Sequence, residues 1–181
     1  MKLVTSNANK LREFQRFGIQ DLEMASVPDI REVLSDDPIQ VAVYKAFDAG
    51  PCHVVEDTAL HVKEAKFGTS IKWTMDTLEQ YVGREAIWQT IIAAHHGNAI
   101  HVYVGTVRGH IVARTESTKE VFGFDDNFQP QGADCTLFAL EQKGLKDQFS
   151  ARYLAAQAFM NNAPGAVFAV SHMKPWQGMY Q

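Results

Sequence analysis

Residues 2–17, KLVTSNANKLREFQRF, pass from a strand-like run through a polar turn into a helical pattern. Apolar residues recur at helical spacing after the turn, so the sequence predicts a strand at 2–5 and a helix at about 8–17. A strand that leads directly into a helix is typical of proteins that layer helices on a sheet. This stretch therefore favours an α/β fold.

The same alternation continues along the chain and indicates one domain over residues 1–181, with a tail at 163–181 of uncertain structure. The segment at 165–173 is compatible with a strand or with a short helix. The other predicted elements are a strand at about 22–27, a helix at about 38–48, a strand at about 52–56, helices at 71–82 and 84–96, a hairpin that turns at Arg108-Gly109, a loop at 117–135, a strand at 136–140 and a helix at about 147–161.

The 181 residues are 46% hydrophobic and 21% charged, which provides enough apolar content for a sizeable buried core. Seventeen basic and 21 acidic residues leave a net charge of −4, so no overall positive charge favours nucleic acid or an anionic membrane. No apolar run reaches the length of about 18 residues that a membrane span needs. We expect a soluble, cytoplasmic protein without nucleic-acid or membrane partners.

Cysteine and histidine residues give no sign of a metal site. Cys52 and Cys135 match neither a metal-binding spacing nor a disulfide framework, so we expect buried free thiols. The pair His95-His96 falls at the end of a predicted helix, where a surface position near the helix C-terminus is favoured over metal binding.

The polar turn TSNANK, residues 5–10, lies at the N-terminus of the first predicted helix. Helix N-termini carry unpaired N–H groups and a partial positive charge. The amide of Asn7 and the ammonium of Lys10 add to these donors, so the turn is a candidate phosphate site. Alternatively, Asn7 only caps the helix.

The stretch VVEDTAL, residues 54–60, ends an apolar strand in two carboxylates, Glu56 and Asp57. Ligand sites of open α/β sheets gather at the carboxyl ends of strands. Adjacent side chains on a strand point to opposite sides, so one acid is a candidate ligand for Mg²⁺ and the other a candidate to orient or deprotonate a water. Alternatively, the strand simply ends in a polar turn.

A third stretch, FGFDDNFQPQG at 122–132, contains three Phe and two Asp in a predicted loop. Exposed aromatic rings suit stacking on a planar base, and a nearby Asp can accept hydrogen bonds from ring N–H groups. This loop is therefore a candidate base-binding segment. Alternatively, its aromatic rings only anchor the loop.

The fourth stretch, KDQFSARYLA at 146–155, places Lys146, Ser150 and Arg152 at the start of the last predicted helix. Basic donors again meet a helix N-terminus, which favours an anionic ligand. Alternatively, Asp147 or Ser150 only caps the helix.

These stretches occur in one fixed order: TSNANK, then Lys45 before EDTAL, then FGFDDNFQP, then Lys146 with SARYLA. In this order they resemble the inosine triphosphate pyrophosphatase family, also called the Ham1 family, over roughly residues 2–160. SIKW at 70–73 and GHIVA at 109–113 also resemble segments of eukaryotic-type members. The resemblance implies a homodimeric α/β enzyme with an ITPase-like fold, in which helices flank a mixed central sheet and a nucleotide cleft lies between two lobes.

Members of this family hydrolyse nucleoside triphosphates to the monophosphate and pyrophosphate with Mg²⁺. They prefer deaminated purines such as ITP, dITP and XTP. Their hydrolysis removes these nucleotides from the nucleotide pool. The resemblance implies that Lys10, Lys45 and Asp57 are catalytic, with Asp57 activating the water. It implies phosphate contacts by Thr5, Asn7 and Lys10. It implies metal binding by Glu32, Glu56 and Asp57.

The same resemblance implies substrate contacts from two further segments, a loop that contacts the base and the start of the last helix. The loop positions that match are Phe122, Phe124 and Asp125. The positions that match at the start of the last helix are Lys146, Ser150 and Arg152.

Four positions depart from the family pattern: Gln40, Ala59, Asp126 and Ala151 stand where the family usually has Glu, Gly, Pro and His. The missing His at 151 removes a reader of the purine 6-oxo group, and a buried hydrogen-bonding site owes much of its discrimination to such partners. The implied function is a nucleoside-triphosphate pyrophosphatase. The alternatives are a pyrophosphatase with a changed base preference and a non-catalytic nucleotide-binding protein.

Overall fold

A computed structural model of the chain describes residues 1–27, 30–115 and 121–180, and a seven-stranded mixed sheet forms the centre of this part. The strands are β1 (Lys2–Val4), β2 (Glu23–Ala25), β3 (His53–Val62), β4 (Glu85–His96), β5 (Ala99–Ile111), β6 (Phe128–Pro130) and β7 (Ala166–Ala169). β1 pairs in parallel with β2 and β3, and the other pairings of these strands are antiparallel. The spatial order is β2-β1-β3-β4-β5-β6, and β7 also pairs with β5.

Helices cover both faces of this sheet. They are α1 (Ala8–Arg16), α2 (Pro38–Ala49), α3 (Ile71–Thr74), α4 (Leu137–Gln142) and α5 (Ala151–Met160), with short 3-10 helices at Met75–Tyr81, Lys146–Phe149 and Val170–His172. On one face, Ala46 of α2 shares a core cluster with Ile91 of β4. On the other face, Phe14 of α1 and Ala155 of α5 share a cluster with Ile92. The predicted α/β class, a mixed central sheet flanked by helices, is confirmed.

The start and end of α2 follow from residues that the sequence places there. Asp37 Oδ1 accepts a hydrogen bond from Ile39 N at 2.9 Å, and Pro38 occupies the first turn, where its missing N–H is not needed. Gly50 ends the helix with φ at 80°, a conformation that favours glycine. The helix that carries Lys45 is thereby fixed beside β3.

The predicted helix at 84–96 is wrong, because these residues form β4, in the interior of the sheet. β4 pairs with β3 on one side and with β5 on the other. A strand that is buried on both faces has a continuous apolar run, which periodicity alone does not separate from a buried helix. His95 is consequently buried and not on the surface, with its ring nitrogens 3.1 Å from the carbonyl oxygens of Ala46 and Gly97.

The predicted hairpin turn at Arg108-Gly109 is also wrong, because β5 continues through both residues. The turn between β4 and β5 lies instead at 97–98. A Cβ at Gly109 would lie only 2.3 Å from the carbonyl oxygen of Gln129 in β6. The glycine therefore permits the close approach of β6 and does not make a turn.

Residues 136–140, predicted as a strand, begin a helix. The hydroxyl oxygen of Thr136 accepts a hydrogen bond from Ala139 N at 3.2 Å and so caps α4. This local cap outweighs the short apolar run. The helix predicted at about 147–161 is α5 preceded by a 3-10 turn, and the undecided segment at 165–173 forms β7 followed by another 3-10 turn.

The remaining expectations concern the cysteines, a membrane span and the predicted loop at 117–135. Both cysteines are free, but Cys52 is exposed and Cys135 half-buried, so the expected burial is wrong. In the described residues, no helix combines the length and the apolar content that a membrane crossing requires. Residues 117–120 of the predicted loop lie outside the described part of the chain.

Candidate active site

A pocket of about 750 Å³ lies between the β1–α1 turn, β3, α2 and the loop before β6. Predicted site residues form two parts of its lining. The polar wall consists of Thr5, Asn7, Lys10, Glu32, Lys45, Glu56 and Asp57. The aromatic wall consists of Phe122, Phe124, Asp125 and Arg152. The fold thus brings together side chains that are far apart in the sequence.

Lys146 and Ser150 are the predicted site residues that do not line this pocket. Ser150 is buried and caps α5, since its hydroxyl oxygen accepts a hydrogen bond from Tyr153 N at 3.2 Å. Lys146 is buried and lines a neighbouring pocket of about 330 Å³ together with Glu13 and Asp125. The capping alternative therefore describes Ser150, whereas Lys146 contacts the aromatic wall from behind.

The turn before α1 is held by its own side chains. Asn7 Oδ1 accepts a hydrogen bond from Asn9 N at 2.9 Å, and Asn7 N donates to Thr5 Oγ1 at 3.1 Å. Asn7 is thus the N-cap of α1, as the alternative interpretation expects, and the cap uses only the oxygen of its amide. Because the turn is held in place by these bonds, its donors are positioned before an anion binds.

Lys45 and Glu32 form an ion pair in the polar wall, with 2.6 Å between Nζ and Oε1. Burial opposes the charge on Lys45, but Asp57 and Glu32 outweigh it and hold the pKa of Lys45 above its ordinary value. Burial also opposes the charge on Glu32, and Lys45 outweighs it and holds the pKa of Glu32 below its ordinary value. Both side chains are therefore charged at neutral pH.

Asp57 has different surroundings from its neighbour Glu56, as the alternation of a strand predicts. Its Oδ1 accepts a hydrogen bond from Thr58 N at 2.8 Å. Burial raises the pKa of Asp57, and Lys45 and Lys10 offset this only in part. A half-buried pocket carboxylate with a raised pKa is suited to accept a proton.

Glu56 is enclosed by cations. Its Oε1 lies 3.1 Å from Arg152 Nε and 3.0 Å from Thr58 Oγ1. Its Oε2 lies 2.5 Å from Lys10 Nζ in an ion pair. Burial raises the pKa of Glu56, but Arg152 and Lys10 outweigh it and lower this pKa to about 2. Glu56 is thus a permanent negative charge that anchors both cations.

Glu13, on α1, is a buried charged residue that the sequence analysis missed. Its Oε1 lies 2.7 Å from Lys146 Nζ, and its Oε2 accepts a hydrogen bond from Arg152 Nη1. Lys146 Nζ also lies 2.5 Å from Asp125 Oδ2. Two basic residues at the start of a buried helix need acidic partners, and this requirement is the signal that points to a residue such as Glu13.

The aromatic wall contains one ring that is half-buried and one that is buried. Phe122 is half-buried, and its ring centroid lies 5.2 Å from both Lys146 Nζ and Arg152 Cζ. Phe124 is buried and packs edge-to-face on Trp88, with 5.8 Å between ring centroids. The anchoring alternative therefore describes Phe124 better than Phe122. Burial raises the pKa of Asp125 to about 6, against the effect of Lys146.

The acids of the polar wall fit a hard divalent cation such as Mg²⁺, which prefers oxygen ligands. The hydrogen bond to Asp57 engages Oδ1 and leaves Oδ2 for an ion. Glu32 and Glu56 are paired with basic side chains, and within the described ranges no three Asp, Glu, His or Cys side chains are close enough to hold a metal ion. This donor set matches Mg²⁺ bound by one or two carboxylates and substrate phosphates, a common arrangement for that ion.

Ala151, the departure that bears most on the base, lies in the core. It is fully buried and shares a cluster with Trp88 and Phe124. A Cβ at Gly105 would lie 1.9 Å from the carbonyl oxygen of Ala151, so the start of α5 rests directly on β5. Position 151 is therefore behind the aromatic wall and offers it no polar side chain.

The other departures have local partners. Asp126 is buried and accepts hydrogen bonds from Thr115 N at 3.0 Å and Thr115 Oγ1 at 2.6 Å. Gln40 Oε1 accepts a hydrogen bond from Ser35 Oγ at 2.6 Å. Ala59 is fully buried in β3. Asp126 thus ties the aromatic loop to the segment that follows β5.

Comparison with known proteins identifies the family of the chain. Residues 1–162, which contain both walls, match the Ham1 family. The chain is 30% identical over 176 residues to the dITP/XTP pyrophosphatase of Hyperthermus butylicus, covering 86% of this chain and 90% of the relative. It is 30% identical over 183 residues to the inosine triphosphate pyrophosphatase of Saccharomyces cerevisiae, covering 86% and 91%. It is also 30% identical over 174 residues to the inosine triphosphate pyrophosphatase of Candida glabrata, covering 82% and 89%. The chain therefore belongs to the Ham1 family, as its motifs predict.

Proposed function

We propose that this protein hydrolyses deaminated purine nucleoside triphosphates, such as ITP, dITP and XTP, to the monophosphate and pyrophosphate. Its role would be to remove these nucleotides from the nucleotide pool. The names of the related proteins support the reaction and the substrate class. The geometry of the pocket supports the same reaction independently.

The observation that carries the proposal is that one pocket has both a polar wall and an aromatic wall. A triphosphate brings about four negative charges, which need concentrated positive charge at one side of a site. Lys10 and Lys45 provide ammonium groups there, and the turn at Asn7 adds helix N–H groups. The half-buried ring of Phe122 suits a planar base at the other side.

In the proposed reaction, a water molecule attacks the α-phosphorus. A bond forms between the water oxygen and phosphorus, the bond to the oxygen that bridges to the β-phosphate breaks, and pyrophosphate leaves. Asp57 takes the proton of the water, for which its raised pKa is suited. Lys10 and Lys45 offset the charge of the phosphates. Each ammonium group contacts phosphate oxygens and also keeps the contact with its paired carboxylate. Positioning and charge stabilisation do most of the catalysis.

Mg²⁺ is the proposed cofactor, with Glu32, Glu56 and Asp57 as its candidate ligands. When bound, it supplies positive charge on the phosphate oxygens. The carboxylate oxygens in the polar wall support this assignment. Asp57 is the least engaged of the three donors, because Glu32 and Glu56 are paired with basic side chains. Thr5 and Asn7 would hold phosphate oxygens from the turn.

The base would lie against Phe122, with Arg152 and Asp125 beside it. Lys146, Ser150 and Phe124 would act from behind, by fixing these groups. Because Ala151 is buried and apolar, the 6-oxo group of a purine must be recognised by another residue. This observation favours, as a second candidate function, a pyrophosphatase with a changed base preference.

The test is hydrolysis by the purified full chain of ITP, dITP, XTP, GTP, ATP, UTP, dUTP and CTP, with and without Mg²⁺, with products separated by ion-exchange chromatography. Monophosphate and pyrophosphate from ITP or XTP, far above the other nucleotides, is the expected result. Preference for an ordinary base would support the second candidate. Binding without turnover of any nucleotide would contradict both and identify a non-catalytic nucleotide-binding protein.

We also propose that the chain is a single domain and assembles as a homodimer, as the resemblance to the family implies. Light scattering on the eluting peak of a size-exclusion column measures the mass directly. A mass near twice 20.2 kDa is expected, and a mass near 20.2 kDa would contradict the dimer.

A further inference from the structure

The segment after the family match returns to the polar wall. After β7, Val170 N donates a hydrogen bond to Asn98 O at 2.9 Å. The chain then passes Met173, which packs against the core cluster of α2. Residues 176–180 then lie against the segment that carries Glu32 and against α2, which carries Lys45. This segment therefore contacts the chain neighbours of both partners of the ion pair in the polar wall.

On one side, residues 179–180 hold both neighbours of Glu32. Tyr180 forms an isolated antiparallel bridge with Val33, and Leu34 N donates a hydrogen bond to Met179 O at 2.8 Å. Arg31 Cζ lies 4.1 Å from the ring centroid of Tyr180, in a cation–π contact. The segment around Glu32 is neither helix nor regular strand, so this bridge supplies its pairing with another part of the chain.

On the other side, Trp176 holds the neighbour of Lys45. Its indole packs edge-to-face on Tyr44, with 5.1 Å between ring centroids. Its Nε1 donates a hydrogen bond to Met179 O at 2.8 Å, so this carbonyl oxygen receives both the indole and Leu34 N. A Cβ at Gly178 would lie 2.7 Å from the indole, which shows how closely the backbone covers it.

We propose that residues 176–180 are a clamp that positions the Glu32–Lys45 ion pair for phosphate binding, with Trp176 and Tyr180 as its positioning residues. This inference rests on the proposed function, because it assigns the phosphates to the polar wall. The clamp fixes the backbone on both sides of the pair. The side chains of Glu32 and Lys45 therefore form their 2.6 Å contact from backbone positions that are already held in place. It lies outside the matched residues 1–162 and would be a separate addition to the shared site.

The test compares the full chain with the double variant Trp176→Ala/Tyr180→Ala. Amide hydrogen exchange at Leu34 reports the clamp, and calorimetry with Mg²⁺ and inorganic pyrophosphate reports the polar wall. We expect faster exchange at Leu34, about tenfold weaker pyrophosphate binding and a fall of at least the same size in kcat/KM. The single variant Tyr180→Phe keeps Trp176 and keeps the ring over Arg31, so it should bind pyrophosphate as tightly as the unmodified chain. Met179→Ala is the control, because its side chain is 70% exposed and its carbonyl oxygen is retained.

Three results would overturn the clamp. Unchanged exchange at Leu34 in the double variant would exclude the mechanical link. Faster exchange with unchanged pyrophosphate affinity would reduce the segment to a purely structural role. Failure of the wild-type chain to bind pyrophosphate would contradict the assignment of the phosphates to the polar wall. Failure of the proposed function alone has a different signature, since a wild-type chain without turnover leaves the calorimetric comparison intact.

Discussion

Arg152 Nε lies 3.1 Å from Glu56 Oε1, and this buried ion pair joins the start of α5 to β3. The same guanidinium binds Glu13 on α1. Burial opposes the charge on Arg152, but Glu56 and Glu13 outweigh it and raise its pKa above its ordinary value. One buried cation therefore connects three elements around the pocket.

Arg152→Ala should destabilise the protein strongly, because it leaves Glu13 and Glu56 buried with fewer positive partners. Loss of one partner of a buried ion pair costs about 3–5 kcal/mol, measurable by urea unfolding followed by circular dichroism. Arg84→Ala is the matched control, since Arg84 pairs with Glu64 on the surface. The control should cost less than about 1 kcal/mol. Equal effects of the two substitutions would contradict the structural importance of the buried pair.

Asp57→Asn should lower kcat by about 10²–10⁴ if Asp57 accepts the proton of the attacking water. The amide keeps the shape of the side chain and its acceptor oxygen for Thr58 N, so the fold should persist. Steady-state kinetics with ITP and Mg²⁺ measures the change. The exposed Asp36 offers a matched control, and Asp36→Asn should leave kcat unchanged. Near-wild-type turnover of Asp57→Asn would remove Asp57 from the mechanism.

Asn7→Ser separates capping from phosphate binding. Serine is as good an N-cap as asparagine, so the free energy of unfolding should change by less than about 0.5 kcal/mol. The amide donor is lost, however, and KM for the nucleotide should rise about tenfold. Asp37→Ser makes the same kind of change at the cap of α2 and should leave KM unaffected. An unchanged KM in Asn7→Ser would leave Asn7 with capping alone.

Asp125 should make the folded state less stable as the pH rises from about 4 to about 6. Its pKa is raised from 3.8 to about 6 by burial. The protonated form is therefore favoured in the folded state, and its stabilising contribution is complete below the unfolded pKa and lost as the pH rises through the folded pKa. Asp125→Asn should remove this part of the pH dependence of the unfolding free energy. A profile that falls equally steeply in the variant would assign the dependence to another group.

The first half of the fold and most of the site can be predicted from the sequence, because each rests on local signals. Asp37 and Pro38 fix a helix start, and Asn7 caps α1 where the polar turn predicts it. The motifs then identify the pocket-lining residues through the family resemblance. These signals are read within a few residues of each other.

Two of the errors and one omission concern residues whose surroundings are decided by distant parts of the chain. β4 is a strand because β3 and β5 pair with it on both sides, and its own apolar run is equally compatible with a buried helix. Gly109 has the composition of a turn and is required by the approach of β6. Glu13 is an ordinary helical acid until α5 brings Arg152 and Lys146 to it. A local sequence pattern contains no information about tertiary contacts of this kind.

The close packing of Ala151 limits which side chain can replace it. Ala151 is fully buried in the cluster that contains Trp88, so a larger side chain at 151 has to displace a member of that cluster or move α5, and moving α5 would pull Arg152 from Glu56. A histidine introduced alone would overpack the cluster at a cost of about 1–3 kcal/mol. A histidine at 151 would therefore be tolerated better once another side chain of the cluster had become smaller. A change in base recognition at this position would thus depend on the packing of the core behind the aromatic wall.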